Sequence, residues 1–367
     1  MGKGLTNPQS RPYFILNSYL RIKDMRKTIP VAVIVILAGI AALLPGCDQL
    51  VTKENYTYDT TTLIVRDSTC VEACHSDVSN DMSVARRQWQ NSAHSSDSLT
   101  DITVNGLNTR SCGQQCHSTE GFLNSLSSTA GTISHPTEIG CFACHSPHTT
   151  WDFSLRDTAR VLLITSQYYN YKHSNICARC HRNNVNPASL VSGPRNIDAG
   201  WGPHASVQAD MLAGTGGYVF PDSIYGNSAH TTDDSSGCLT CHMAVTDGFE
   251  LGGHTFRMRS GITILVSSCN QSGCHATAPV TSFYTVDSLQ RLYISTMDSL
   301  KTELIAGNLL TTSGNPVLRT VLTIDSVAAL YNYLFVRNDG SGGVHNTKYG
   351  LALLQQSLYS LRPPAKR

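Results

Sequence analysis

The sequence predicts a mainly α chain with extensive irregular coil, closing in a C-terminal helical segment. Three observations predict it. Six cysteine pairs, each followed directly by histidine, occupy residues 70–275. The stretches between them are rich in Ser, Thr, Gly and Asn and poor in apolar runs. Beyond residue 284 the apolar residues fall at helical spacing.

The pairs are Cys70/Cys74-His75, Cys112/Cys116-His117, Cys141/Cys144-His145, Cys177/Cys180-His181, Cys238/Cys241-His242 and Cys269/Cys274-His275. Three have the spacing C-x-x-C-H, the signature of covalent c-type haem attachment. The first two pairs have one extra residue between the cysteines and the last has two. In such a site both thiols bond to the vinyl groups of one haem and the adjoining histidine becomes the proximal iron ligand. Zinc also uses paired cysteines, but a zinc site takes four ligands from two half-motifs, and nothing in its chemistry places His after every second Cys. A disulfide framework fits less well, because the haem reading leaves no paired thiols over. The expected cofactor is six covalently bound haem c groups. Their porphyrins would supply the apolar core that so polar a chain cannot build from its own side chains.

The thirteenth cysteine belongs to the N-terminus. Arg26 and Lys27 precede an apolar run from Ile29 to Leu44, ending in Leu44-Pro45-Gly46-Cys47. A basic region, an apolar region and small residues before a cut are a secretory signal, and the last four residues resemble a bacterial lipobox. The run is shorter than the ~20 apolar residues of a spanning helix, so residues 1–46 read as a lipoprotein signal peptide, with Cys47 acylated. Residues 47–69, with Thr60-Thr61-Thr62, read as a polar tether. The chain is then an exported lipoprotein on a periplasmic, outer-membrane or cell-surface face. The formal net charge is +1, but residues 1–46 hold six of the 27 Lys/Arg and one of the 26 acids, so the processed chain is net acidic. With no basic run, nucleic acid is not an expected partner.

Residues 70–284 form the expected hexahaem region, including a long insert between the fourth and fifth motifs that contains Gly214, Gly216, Gly217 and Tyr218 and reads as loop. Residues 285–367 form the expected C-terminal helices, packing on the haem core. The first is capped by Asp287 with Gln290 three positions on, carries Leu289, Tyr293, Met297, Leu300 and Leu304, and is closed by Gly307. The second runs from Asp325 to Gly340. The third begins near Asn346, with Leu351, Leu354 and Leu358 on its apolar face.

Eight histidines lie outside the motifs: His94, His135, His148, His173, His204, His230, His254 and His345. Six haems need at most six distal ligands, so the supply suffices for bis-histidine ligation throughout. Met211, Met243 and Met258 are the alternative ligands, though methionine is more commonly a core filler.

The chain resembles bacterial multihaem c-type cytochromes of the group that includes cytochrome c nitrite reductases and electron-conduit cytochromes. Beyond the motifs the resemblance rests on Cys144-His145-Ser146-Pro147-His148, Gly202-Pro203-His204 with Gln208-Ala209-Asp210-Met211-Leu212, and Tyr225-Gly226-Asn227-Ser228-Ala229-His230. It rests also on Gly252-Gly253-His254-Thr255-Phe256-Arg257-Met258 and Gly343-Val344-His345-Asn346-Thr347-Lys348-Tyr349. It implies distal roles for His148, His230, His254 and His345 first, then His94 and His204, with His135 in reserve and His173 non-ligating. His94, in Asn91-Ser92-Ala93-His94, shares its context with His230.

Electron transfer through a membrane-anchored relay is the leading functional expectation, with redox proteins as partners and homo-oligomers compatible with it. A haem-dependent reductase of nitrite or hydroxylamine is the enzymatic alternative. The nitrite reductases' lysine-terminated motif does not occur here, since all six motifs end in His, and no catalytic residue is assigned. A subunit of an extracellular cytochrome filament is the third reading.

Overall fold

The structure is a computed structural model. It describes residues 82–96, 115–127, 133, 135–150, 153–190, 195–198, 200–233, 237–246, 248–281, 288–321 and 323–362. These all belong to one compact unit within Asp67–Arg367. The signal, Cys47 and the tether lie outside the described residues, as do Cys70, Cys74, His75 and Cys112.

The described chain is mainly helical with little sheet. In order it runs α1 (Met82–Gln90), α2 (Thr119–Leu126), α3 (Cys141–Cys144), α4 (Pro147–Thr150), α5 (Asn175–Ala178), α6 (Gln208–Ala213), α7 (Ala229–Thr232), α8 (Cys238–His242), α9 (Ser288–Ala306), α10 (Ile324–Asp339) and α11 (Thr347–Leu361). Three antiparallel pairs of two- or three-residue strands pin loops together: Val161–Leu162 with Tyr168–Tyr169, Arg195–Ile197 with Arg319–Val321, and Arg259–Ser260 with Thr263–Ile264.

The three long helices carry the main core. Thr323 caps α10 by accepting the Ser326 N–H, and Asn346 caps α11 by accepting the Tyr349 N–H. Gly340 ends α10 in the left-handed region at φ 70°. After α9 the left-handed residue is Asn308, at φ 54°, and not Gly307. Asparagine tolerates that conformation, and the Leu309 N–H then reaches back to the Leu304 carbonyl. Tyr293, Leu300 and Leu304 of α9 and Tyr349, Leu353 and Leu354 of α11 pack against α10. Helix α10 is buried nearly all round, from Val327 to Val336, because the insert that follows the fourth motif covers its other side.

That insert is more than loop. It holds α6, and Val207, Met211, Tyr218 and Phe220 join the main core. Its buried backbone is satisfied by side chains of the C-terminal helices. The Tyr218 N–H donates to Asn332 Oδ1 at 2.7 Å, the Asn332 amide returns to the Tyr218 carbonyl at 3.0 Å, and the Gly217 N–H donates to Tyr349 Oη at 3.0 Å. Met211, at 1% exposure, fills core space.

Asp210 of α6 is fully buried. Its Oδ2 accepts the Asn183 N–H at 2.6 Å, while its Oδ1 has no partner. Burial pushes its pKa up from 3.8 to about 6, against the opposing pull of the Asn183 N–H and Arg182. The folded state therefore holds a proton that the unfolded chain has lost, and stability falls as pH rises from about 4 to 6. The full cost above that window is at most about 3 kcal/mol. Asp210→Asn is expected to abolish this slope, so the variant's melting temperature gains on the parent's between pH 4.5 and 7.5. Equal gains or losses at both pH values would contradict it.

The motif-bearing half is built differently. Its apolar clusters are small. One gathers Val161, Leu163, Tyr169, Tyr171, Ala178, Ala209, Leu212 and Ala213; another has only Phe122, Ala143 and Ile176, with Cys144, Cys177 and Cys180 packed against it.

Candidate haem centres

Five histidine pairs span this half. Ring centroids are 6.1 Å apart for His94 and His181, 6.0 Å for His117 and His204, 6.3 Å for His145 and His254, 6.3 Å for His230 and His275, and 6.2 Å for His242 and His345. Each pair joins one motif histidine to one from outside the motifs. Aromatic contacts in general spread over about 4.5–7 Å. A metal held between two imidazole nitrogens at about 2.0 Å each, with roughly 1.1 Å from nitrogen to ring centre, needs centroids about 6.2 Å apart. The five pairs fall within 0.2 Å of that length. They fit haem iron. No group of three or more His, Cys, Asp or Glu is placed to hold a bare metal ion among the described residues.

The second ring nitrogen is held in most of them. Nδ1 of His145, His242 and His230 lies 2.8, 2.8 and 2.7 Å from the carbonyls of Phe153, Phe256 and Val344. A carbonyl can only accept, so Nδ1 carries the proton and Nε2 keeps its lone pair for a metal. His204 Nδ1 meets the Ser206 hydroxyl at 3.1 Å, and His181 Nδ1 meets Gln208 Oε1 at 3.4 Å. His345 differs. Its Nδ1 faces Asp339 Oδ1 at 2.6 Å, with the Asp339 side chain fully buried.

Electrostatics favour the neutral rings that metal binding requires. Burial lowers the pKa of His94 to about 4, with His181 adding to the effect. Burial also lowers His117, His181, His242 and His254. At His345 burial again pulls down, but the Asp339 carboxylate outweighs it and the net shift is upward.

Local sequence explains the placements. Helices α3 and α8 turn Cys141/Cys144 and Cys238/Cys241 onto one face, because residues three apart are neighbours on a helix. Each begins after an extended glycine, Gly140 or Gly237. A Cβ on Gly237 would sit 2.5 Å from Ser174 Oγ, so only glycine allows the fifth motif this close to the fourth. The loop carrying His345 is fastened by Asn346, which is fully buried. Asn346 Oδ1 accepts the Ser228 N–H at 3.0 Å, and its amide donates to Asn227 Oδ1 at 2.9 Å and Thr231 Oγ1 at 2.8 Å. This also fixes His230, on α7 between those contacts.

Of the histidines named from sequence, His94, His204, His230, His254 and His345 sit opposite motif histidines. The side chain of His148 lies outside the described residues, although its backbone is in α4. His135 and His173 are exposed, and no ring contact joins His173 to another histidine among the described residues. Arg257 is exposed as well. The nine described motif cysteines that are given a bonding state, Cys116, Cys141, Cys144, Cys177, Cys180, Cys238, Cys241, Cys269 and Cys274, are all free.

Two residues were not singled out from sequence. Asp339 ends α10 and is brought to His345 by the turn through Gly340, Gly342 and Gly343, all at positive φ. An acid six positions before a histidine across a glycine-rich turn is the signal that was there to find. Phe256 is the other. Its ring meets His94 at 4.9 Å and His254 at 6.2 Å, while its carbonyl faces His242.

No family model matches the chain, and no curated protein matches it. Among solved structures it is similar to the crystal structure of the outer cell wall cytochrome OcwA, with a TM-score of 0.49 and 22% identity. The match covers 75% of this chain and 50% of that one, so the chain spans about half the length of that protein.

Proposed function

We propose that this chain is an exported, lipid-anchored cytochrome that carries six covalent haems and relays electrons between redox proteins without turning over a substrate at iron. One observation carries the reading: every described motif histidine faces a second histidine at the length a six-coordinate iron needs. Haem c supplies a one-electron iron couple whose potential depends on its axial ligands and surroundings. The protein's part is to bind each porphyrin by two thioethers, fill both axial positions and exclude small molecules from the metal.

On this reading His94, His204, His254, His230 and His345 are the distal ligands of the fourth, second, third, sixth and fifth motifs respectively. This leaves His75 to draw on His135, His148 or His173, of which we favour His148.

Intact mass after expression with a c-type maturation system is expected to show six haem additions. Electron paramagnetic resonance of the oxidised protein is expected to show only low-spin iron, with negligible reduction of nitrite or hydroxylamine. A high-spin signal near one-sixth of the iron, accompanied by turnover, would replace the relay with the reductase.

Cys47 is the proposed lipid attachment point. No helix among the described residues is long and apolar enough to cross a membrane. Cys47→Ser is expected to shift the protein from the membrane fraction to the soluble fraction, or to leave it unprocessed. Normal processing with full membrane retention would rule the anchor out.

A further inference from the structure

Different motifs are neighbours, and their contacts are uneven. Cys238 of the fifth motif packs on the small apolar cluster that holds Ala178, which lies between the two cysteines of the fourth motif. The contact is reinforced by the Leu239 N–H, which donates to Ser174 Oγ at 3.0 Å, and by the glycine-only approach at Gly237. The fourth motif also stands beside the second, through Gln115, the residue before Cys116. Here Cys180 Sγ lies 3.9 Å from the Gln115 carbonyl. Cys144 of the third motif packs on the same small cluster of Phe122, Ala143 and Ile176 as Cys177 and Cys180. The distal side repeats this neighbourhood, for Phe256 bridges His94 of the fourth pair and His254 of the third.

The sixth motif is placed otherwise. The amide of Gln271, between Cys269 and Cys274, donates to the carbonyl of Thr240, the residue before Cys241, at 3.2 Å. Its described neighbour is the fifth motif.

We infer that the relay is branched, with the motif Cys177/Cys180-His181 as its junction. A thioether sulfur is bonded to the vinyl-derived carbon at the porphyrin's edge, so motifs whose cysteines pack on shared neighbours bring their porphyrin edges together. The fourth porphyrin then borders those of the second, third and fifth motifs, and the sixth is reached through the fifth. One arm of the relay leads to the sixth motif and two lead toward the N-terminal half, so the protein can take electrons from, or deliver them to, more than one partner site. Among the described motifs, charge moving between the C-terminal arm and either N-terminal arm passes the fourth motif.

The inference rests on the proposed function, and the two fail separately. An experimental structure of the holoprotein is the test, with haem content from intact mass measured on the same sample. The expected result is edge contact of the fourth haem with those of the second, third and fifth motifs, and contact of the sixth with the fifth. Six haems in a linear order, or a three-neighbour haem at another motif, would overturn the branch and leave the six-haem reading standing. Absence of covalent haem would overturn both. A readout in solution is the oxidised protein's resonance spectrum after His94→Met, which alters one ligand of the fourth haem. Changed spin–spin broadening at three other haems supports the junction, and change at only one or two contradicts it.

Discussion

Made in a host that cannot attach haem, the chain is expected to keep its three long C-terminal helices and lose most of the remaining order. The apolar cores explain this division. The large cluster draws chiefly on α9, α10 and α11, helices of 19, 16 and 15 residues. Each fully buried Leu, Phe or Tyr there contributes roughly 1.5–3 kcal/mol. The clusters around the motifs have eight and three buried apolar residues, too few to offset the ordering of some two hundred residues at about 1–2 kcal/mol each. Limited proteolysis of the apo chain is expected to cut within 96–181 and 229–281 and to protect about 288–361 together with the insert around 197–220 that shares its core, while the holoprotein resists under the same conditions. Equal resistance in both forms would mean that porphyrins are not the core of this half.

The second large effect is on a redox potential. Asp339→Asn is expected to raise the potential of the haem on the fifth motif alone, by about 60 mV, the one-electron equivalent of ~1.4 kcal/mol. That is the difference between a hydrogen bond to a charged acceptor and one to a neutral acceptor. Asp339 accepts from His345 Nδ1 and from Ser341, whose hydroxyl and N–H both reach Oδ2. A carboxylate there gives the imidazole anionic character, which strengthens it as a ligand and favours ferric iron. The rings of His145, His242 and His230 face carbonyls and have no such push. Potentiometric titration followed by resonance spectra separates the haems. A common shift of all six, or none, would remove Asp339 from this role.

Much of the chemistry was legible in the sequence because it is local. The Cys pairs and their histidines are contiguous, α10 ends at the left-handed Gly340 and α11 starts at its Asn346 cap as read from sequence, and α10 starts one residue before the expected Asp325, at its Thr323 cap. Which histidine faces which across the fold was not legible. His145 meets His254 and His242 meets His345 across about a hundred residues of chain, far beyond the reach of any helical or strand period. The glycines at 214–217 read as open loop because their conformational freedom is visible in sequence. The side chains that bury them, from Asn332 and Tyr349, come from helices a hundred residues further on.

Those long-range pairs also bear on how the protein would mature if it carries the proposed haems. A thioether fixes a haem to its own motif while the chain is still unfolded, but the distal bond closes only when remote segments meet. Until then each iron has an open position and several spare histidines within reach of a flexible chain. A wrong partner captured early would have to dissociate before the native loop could close, so refolding of the holoprotein should be slow and speed up in excess free imidazole. Each native pair, once formed, acts as a cross-link over a long loop, stabilising through the lost freedom of the unfolded chain as a disulfide does. Unlike a disulfide, it would survive reducing agents, so a relay of the proposed kind could pass electrons without loosening the bonds that hold it together.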